Sequence, residues 1–307
     1  MSLPSRLLGS NPSVQVSSLL TGAITTPSAK GVFTPPLVVD YLVVAGGGGA
    51  SGGGGGGGGL RSTVTATGGG GTLETALTLS KSTNYTVTVG AGGAGGVNTS
   101  ASASAGSNSV FSTITSNGGG YGAGGGNTAA TNGGNGGSGG GAWAYNNTST
   151  PTGGTGTANQ GYAGGEVTNG VASNAAGAAG GGAGGLGNNS IGGLDGGNPT
   201  HQNAIKGAGL ATSITGSSVT YAQGGKGYYR ITGSVSDGPA NTGDAGDAKG
   251  SGGGQTGHVG GSGVVILRYL TASGVITIGA GLTGSTATDG SYKVTTLTAG
   301  TGNVSWA

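Results

Sequence analysis

Two uninterrupted glycine runs, Gly46–Gly49 and Gly52–Gly59, dominate what this chain can form. They belong to a sequence with 82 glycines among 307 residues. An ordered glycine loses more backbone entropy than any other residue, and ordering one residue costs about 1–2 kcal/mol. Long stretches of the chain carry almost no side chains whose burial could offset that cost. The runs must therefore either stay disordered or order through backbone hydrogen bonds.

The charge pattern favours order. Disordered chains combine low hydrophobicity with high net charge, whereas this chain has a net charge of only +2 and strongly apolar segments beside its glycine runs. A glycine run can form the extended threefold helix with a rise of about 3.1 Å per residue and no internal hydrogen bonds. Several such helices can bond laterally because no Cβ separates them. This reasoning assigns a structural role to Gly46, Gly47, Gly48, Gly49, Gly52, Gly53 and Gly54.

Strand patterns surround the glycine-rich text. Residues 37–45 and 263–269 are almost continuously apolar, which is typical of strands buried on both faces, and we expect these two segments to pair antiparallel. Residues 73–79 and 85–89 alternate with period two, and the turn-forming residues 80–84 between them predict a hairpin. The predicted fold class is all-β with extensive glycine-rich, polyglycine II-type segments and essentially no α-helix. Collagen is excluded, because a strict Gly-X-Y period is absent.

The predicted organisation has three parts. Residues 1–36 form an attachment leader, residues 37–270 a glycine-rich domain, and residues 271–307 a small C-terminal β segment. In the C-terminal segment we expect strands at 275–278, 292–297 and 304–306, with turns at Asp289-Gly290 and Thr301-Gly302-Asn303. A flexible terminus is the alternative interpretation of the leader. The candidates for docking onto a larger particle are Leu3, Arg6, Leu7 and Leu8.

The sequence lacks the residues that several classes of function require. The charged residues are scattered without a basic stripe, so nucleic acid is not an expected partner. The chain has no cysteine and only two histidines, far apart, so we expect no metal site and no cofactor. Asp237, Asp244 and Asp247 cluster with glycine and asparagine, which resembles a calcium loop, but the full loop pattern with its terminal glutamate is missing, and solvated loop carboxylates are the plainer interpretation. No nucleophile–base or paired-carboxylate constellation is present, which argues against an enzyme. No apolar run is long enough to predict membrane insertion, and no secretory signal is recognised.

Three segments carry a family resemblance. Tyr41–Gly49, Tyr85–Gly93 and Ser262–Tyr269 resemble, in order and spacing, the glycine-rich domain of bacteriophage tail-fibre and adhesin proteins. The similarity covers roughly residues 31–270. It implies a virion location at a tail fibre or tail tip, a receptor-binding role and polyglycine helices, and it transfers no catalytic residue. By analogy with fibres it also implies a homo-oligomer, with a trimer expected. The expected partners are other virion proteins and a host surface glycan or outer-membrane protein.

Aromatic residues within the glycine-rich text are the candidates for binding. Tyrosine, tryptophan and arginine dominate the energetics of protein interfaces, and the rings here stand beside asparagine and arginine. The alternative is that these rings fill gaps in a body that is poor in side chains, or form a subunit contact. The candidate receptor-binding residues are Trp143, Tyr145, Tyr162, Tyr228, Tyr229 and Arg230.

Three other functions compatible with the composition stay open. A capsid-decorating or fibre-linking protein would share the glycine-rich body without binding a receptor, and its location would be the capsid surface. An ice-binding polyglycine bundle would need a flat threonine or alanine face with a strict three-residue period, and the irregular spacing here counts against it. A bacterial surface adhesin is disfavoured by the missing export signal.

Overall fold

The computed structural model describes residues 35–97, 101–126, 129–169, 171–191, 205–227, 234–248 and 257–307. All of these residues lie in one compact unit, Pro35–Ala307. Some of the predicted functional residues fall outside the described ranges. These are the docking candidates Leu3, Arg6, Leu7 and Leu8 and the binding candidates Tyr228, Tyr229 and Arg230.

The described residues form strands and extended glycine segments, with only two single-turn 3₁₀ helices, Gly68–Gly70 and Thr271–Ser273. The predicted all-β class is confirmed. The strands are β1 (Leu37–Val44), β2 (Leu60–Ser62), β3 (Leu77–Leu79), β4 (Tyr85–Thr88), β5 (Ser109–Phe111), β6 (Ile114–Ser116), β7 (Ala130–Thr131), β8 (Trp143–Asn147), β9 (Val167–Thr168), β10 (Val171–Gly177), β11 (Ser190–Ile191), β12 (Leu210–Thr212), β13 (Val219–Tyr221), β14 (Val264–Leu270), β15 (Ile276–Ile278), β16 (Leu282–Asp289) and β17 (Tyr292–Trp306).

Ten strands form the main sheet, which is nearly closed and barrel-like. Its central order is β2-β1-β14-β17-β4-β5-β6, while β15 and β16 also pair with β17 and β3 pairs with β1. β1 and β14 are antiparallel, with Val39 opposite Tyr269 and Val44 opposite Val264, as predicted. The C-terminal residues contribute β15, β16 and β17 to this sheet. β17 joins them to the other strands, since it pairs with β14 through residues 292–297 and with β4 through residues 301–304.

Two local predictions are wrong. β3 and β4 do not form a hairpin, because β3 pairs with β1 whereas β4 lies between β17 and β5. Thr301-Gly302-Asn303 is not a turn but the part of β17 that pairs with β4. Both errors have the same kind of cause: the partner strands, β1 for β3 and the 15-residue β17 for β4, are distant in sequence, and local turn chemistry cannot reveal them. The turn at Asp289-Gly290 is confirmed, and Gly290 has a φ of 56° that suits glycine.

Both faces of β1 are buried over its last four residues, as its continuous apolar pattern predicts, whereas Val38 is exposed and Asp40 half-buried on one face of its first half. One face packs Val39, Tyr41 and Val43 into a core that also contains the edge-on aromatic pair Tyr269 and Trp306. The opposite face packs Leu42 and Val44 into a second core, with Leu60, Val264, Ile266 and Ile214. Each buried side chain of this size contributes about 1.5–3 kcal/mol, so these two cores anchor the sheet.

The glycine runs form a bundle of extended helices in which hydrogen bonding repeats every three residues. In residues 45–51, the amides of Gly46 and Gly49 donate to the carbonyls of Ser107 and Ser104. The amides of the next residues, Gly47 and Ala50, donate to a different neighbour, the segment 257–263. Because residues three apart face the same neighbour, the backbone has the threefold symmetry of the polyglycine II helix. The predicted polyglycine segments are therefore confirmed.

The packing of these helices is hexagonal at the centre of the bundle. The helix at 45–51 exchanges backbone contacts with six surrounding segments, 53–56, 93–96, 104–107, 119–122, 243–246 and 258–261. Within the described ranges, the helices at 53–59, 138–142 and 178–184 are also surrounded on six sides. Lateral bonding satisfies backbone groups that would be costly to bury unpaired.

At its glycine positions, the centre of the bundle leaves no room for a Cβ. A Cβ built on Gly48 would lie 2.7 Å from the carbonyl carbon of Gly120 and closer still to its oxygen, whereas ordinary contact begins at 3.4 Å. The other glycines assigned a structural role are equally crowded. Gly46, Gly47, Gly49, Gly53 and Gly54 face neighbouring backbone, and Gly52 faces the Trp143 ring.

At the margin of the bundle, side chains replace missing neighbours, also with period three. Asn132 and Asn135 accept hydrogen bonds from the amides of Thr152 and Thr155 at 2.9 and 2.8 Å. Asp244 and Asp247 accept in the same way from the amides of Gln223 and Lys226, at 2.9 and 2.8 Å. Such side-chain acceptors complete the backbone pairing where no further glycine helix follows. We call these two pairs the side-chain ladders.

Candidate binding surface and lateral cleft

The bundle has two distinct ends, set by its covalent connections to the sheet. β1 continues into residues 45–51, β4 into 90–96 and β6 into 117–123, while the helix at 257–263 continues into β14. We call the end beside the sheet the near end and the opposite one the far end. Pro35, the first described residue, precedes β1 on the side of the sheet away from the bundle. Connections at the far end are thus separated from the beginning of the compact unit by the whole sheet and bundle.

β8 lies at the far end and carries two of the predicted binding residues. It follows the helix at 138–142, whose Gly141 amide donates to the carbonyl of Gly54 at the far end of the neighbouring helix. β8 pairs with β7 and β10 in a small three-stranded sheet. The rings of Trp143 and Tyr145 stack, with centroids 6.3 Å apart and planes at 19°.

The two rings differ in accessibility. Trp143 is 0% exposed, because its ring occupies the space left by the absent side chain of Gly52. It therefore serves as a packing residue in this structure and does not offer a surface to a receptor. Tyr145 is half-buried, and the adjacent Asn146 is exposed with a positive φ of 44°. Asparagine tolerates that backbone conformation better than most residues, so Asn146 is well suited to this position.

Exposed polar residues extend this surface. Residues 148–150, Thr-Ser-Thr, are exposed directly after β8. At the β9–β11 pair, the Asn189 side chain donates to the Glu166 carboxylate at 3.1 Å and accepts from the Glu166 amide at 3.0 Å. Together, Tyr145, Asn146, residues 148–150, Glu166 and Asn189 form what we call the far-end surface. Sequence patterns did not indicate Glu166 or Asn189, whose only signal is their polarity between glycine segments.

The other predicted aromatic residues do not all join this surface. Tyr162 follows the turn at 158–160, and the Gln160 carbonyl there accepts from the amide of Leu60 in the main sheet. Tyr162 therefore lies towards the near end, half-buried, and its hydroxyl is beside Gly70. Gly227, the last described residue before Tyr228, contacts Gly177 and Ala178 at the far end.

A lateral cleft of about 550 Å³ opens where the bundle meets the sheet. It is lined by Arg61, Thr72, Leu73, Glu74, Thr75, Ala158, Asn159 and Gln160. Arg61 binds the Glu74 carboxylate in a fork, through Nε at 2.7 Å and Nη2 at 2.8 Å. The Tyr41 hydroxyl also donates to Glu74, at 2.5 Å. Burial and this carboxylate raise the pKa of Tyr41 above its ordinary value, while Glu74 raises the pKa of Arg61.

The cleft network mainly joins structural elements. The third nitrogen of Arg61, Nη1, donates to the Thr115 carbonyl in β6 at 3.3 Å, so one guanidinium connects β2, β6 and the segment 72–75. Charge-assisted forks of this kind are strong and geometrically specific. Sequence reasoning missed Arg61 and Glu74, because residues thirteen apart, joined by an irregular segment that includes the 3₁₀ helix Gly68–Gly70, give no sign of pairing.

The acidic residues that resembled a calcium loop bind the backbone. Asp244 and Asp247 belong to a side-chain ladder, and Asp237 contacts Nδ1 of His258 at 2.7 Å. Over the described ranges, no group of three or more metal-ligating side chains converges. Those same ranges contain no helix with the length and apolarity needed to span a bilayer.

Comparison with known proteins identifies the family of the chain. A family model described as a glycine-rich domain matches residues 25–270, which is most of the chain. The chain belongs to the glycine-rich domain family. No curated protein and no solved structure matches it.

The glycine-rich domain match ends at the last residue of β14. It therefore covers the bundle, the far-end surface and the cleft, and it excludes β15, β16 and β17. In this chain the main sheet nevertheless includes those strands, since β17 pairs with both β14 and β4.

Proposed function

We propose that this protein is a non-enzymatic structural component of a virion, a tail fibre or adhesin that binds the host cell surface through the far end of its glycine-rich domain. The leader, residues 1–36, would dock onto other virion proteins. The partner at the far end would be a surface glycan or an outer-membrane protein. The capsid-decorating or fibre-linking function is the alternative, and it requires no binding at the far end.

The observation that carries the proposal is the separation of the two ends. The compact unit begins at the sheet, and the polar connections of the far-end surface lie beyond a bundle whose interior is fixed by backbone hydrogen bonds. Connecting loops on a rigid scaffold tolerate sequence change and commonly carry binding residues. A body with few charges and laterally bonded helices suits a spacer that presents such loops. This arrangement supports display and binding; it offers no catalytic constellation among the described side chains.

Location is the first test. Particles purified from the source would be labelled with gold-conjugated antibody raised against residues 130–262. Label at the tail fibres or tail tip is the expected result. Label distributed over the capsid would replace the adhesin with the decoration function. Label on no particle would overturn the virion assignment.

Binding at the far end is the second test. The purified protein should compete with particles for adsorption to host cells, and Tyr145→Ala should reduce that competition at least tenfold. Tyr162→Ala is the matched control, because Tyr162 is a half-buried tyrosine of the same bundle that lies towards the near end. Both variants should keep the wild-type unfolding midpoint within a few degrees. Equal competition by wild type and Tyr145→Ala would remove Tyr145 from the binding surface, and no competition by the wild type would reject the adhesin function.

A further inference from the structure

β16 forms an open edge of the main sheet. On one side it pairs with β17 along its whole length, from Leu282 opposite Gly300 to Asp289 opposite Tyr292. On its other side no strand from the described residues pairs with it. Its six central residues, 283–288, are all exposed. Because alternate backbone groups of a strand point to either side, this edge presents amide and carbonyl groups that can pair with another strand.

The usual protections against edge pairing are missing from β16. Proteins commonly block such edges with charged side chains, proline, a bulge in the edge strand or a very short strand. β16 has eight residues, and from Leu282 to Thr288 none is charged or proline. The register irregularity between Thr283 and Gly284 places an extra residue in β17, opposite the edge strand. Residues 284–288 are thus a regular strand of small side chains.

The composition of the edge favours an identical partner. If two copies of β16 meet antiparallel about a twofold axis at Ser285, each Ser285 opposes the other and uncharged small residues oppose uncharged small residues along residues 283–287. The one charged residue of the strand, Asp289, is already paired with Arg268 in the same chain. The net charge of +2 per chain adds little repulsion between copies.

The centre of the glycine bundle does not compete for this role. Its central helices are surrounded on six sides by segments of the same chain, so their backbone groups need no second copy. The open edge of β16, in contrast, leaves one side of an eight-residue strand available for a backbone contact between copies. We infer that two copies of this chain associate through antiparallel pairing of β16, which joins their main sheets across a twofold axis.

The expected contact is modest in size. Stable specific interfaces bury about 1,200–2,000 Å² in total, and one pair of eight-residue edges provides less than that. The dimer should therefore be reversible, with dissociation measurable at micromolar protein concentrations. A twofold contact of this kind closes on itself and yields a dimer, in contrast to the trimer that the fibre analogy implies.

Light scattering coupled to size-exclusion chromatography tests the inference on the full chain. The wild type should show a concentration-dependent rise from one to two chain masses. Ser285→Lys should weaken the dimer at least tenfold, because two lysines then meet across the axis. Ser104→Lys is the control with the same change in charge, since Ser104 is exposed on the glycine bundle, away from β16. A monomer at all concentrations, a trimer, or equal weakening by both variants would overturn the inference.

Cross-linking provides a second measurement that does not depend on weakening the contact. The chain has no cysteine, so single cysteines introduced at positions 284 to 287 can react only with each other or with added reagents. Paired strands bring opposing Cα atoms to about 4.5–5.5 Å, within the range of about 4.4–6.8 Å that a disulfide needs. Oxidation should give disulfide-linked dimers with a maximum at the one position that opposes its own copy, which is 285 for an axis at Ser285, and Ser104→Cys should give none. Uniform or absent cross-linking would contradict β16 pairing. If no dimer forms, the monomer can still be tested for adsorption to host cells. This inference and the proposed function can therefore fail independently.

Discussion

Replacing one glycine at the centre of the bundle should destabilise the whole domain. The Cβ of Gly48→Ala would lie 2.7 Å from the carbonyl carbon of Gly120, so the helix at 117–123 must retreat by at least 0.7 Å to reach the 3.4 Å of ordinary contact. Two hydrogen bonds join that helix to residues 45–51, from the amides of Gly119 and Gly122, both at 2.9 Å. The retreat stretches them to about 3.6 Å, beyond a useful hydrogen bond.

The expected magnitude follows from these two bonds. A buried backbone group without its partner costs about 1–3 kcal/mol, so two lost bonds cost roughly 2–6 kcal/mol. Alanine also restricts the unfolded chain, which returns about 0.4–1 kcal/mol. The net loss is about 3 kcal/mol, a large part of the 5–15 kcal/mol that ordinary domains have.

Urea unfolding measured by tryptophan fluorescence is a suitable assay, because Trp143 reports on the bundle and Trp306 on the main sheet. Gly126→Ala is the control, since a Cβ there would contact nothing within 4 Å. The control should unfold at the wild-type midpoint or slightly above it. A Gly48→Ala protein as stable as the wild type, or an equal loss in Gly126→Ala, would refute the packing argument.

Two further substitutions test the polar groups. Glu74→Ala removes the carboxylate that binds Arg61 and accepts from Tyr41, so it should lower the free energy of unfolding by about 3 kcal/mol. Adding Arg61→Ala should recover part of that loss, which a double-mutant cycle measures. A loss below about 0.5 kcal/mol would reduce the network to a surface ion pair. Asp244→Asn keeps a side-chain oxygen that can accept from the Gln223 amide. Because burial raises the pKa of Asp244, ionisation of the wild-type carboxylate lowers the free energy of unfolding as the pH rises. The variant should therefore be more stable at pH 7 and equal at about pH 3, below the ordinary aspartate pKa; a less stable variant at pH 7 would contradict this sign.

The elements with strong side-chain patterns were predictable from the sequence. β1 and β14 are continuous apolar runs, and their antiparallel pairing followed from their similar length and from the glycine-rich text between them. The polyglycine helices followed from the need to pair backbone groups without side chains. β16 gave no such signal, because a strand of threonine, glycine, serine and alanine exposed on both faces shows no alternation of apolar residues.

The arrangement of the glycine helices could not be predicted, for a related reason. Neighbouring segments such as 53–59 and 178–184 present nearly identical backbone to one another, so the sequence carries no mark of which segments are adjacent. Trp143 illustrates the same gap at the candidate site. Its aromatic ring beside asparagines predicted a binding residue, but only the structure reveals that Gly52 leaves room to bury it.

The side-chain ladders supply the information that glycine lacks. A bundle of identical backbones could slide by one three-residue repeat and recover equivalent hydrogen bonds, since each helix repeats after three residues. Asn132 and Asn135 match Thr152 and Thr155, and Asp244 and Asp247 match Gln223 and Lys226, so a slip of three residues would leave one acceptor of each pair without its amide. At the near end, the strands fix the same register through the apolar cores. At the far end, Asn146 and residues 148–150 are exposed and belong to neither constraint, so substitutions at these positions should cost little stability. A protein that must alter what it binds while preserving its scaffold would place its binding residues at that end, which is where the far-end surface lies.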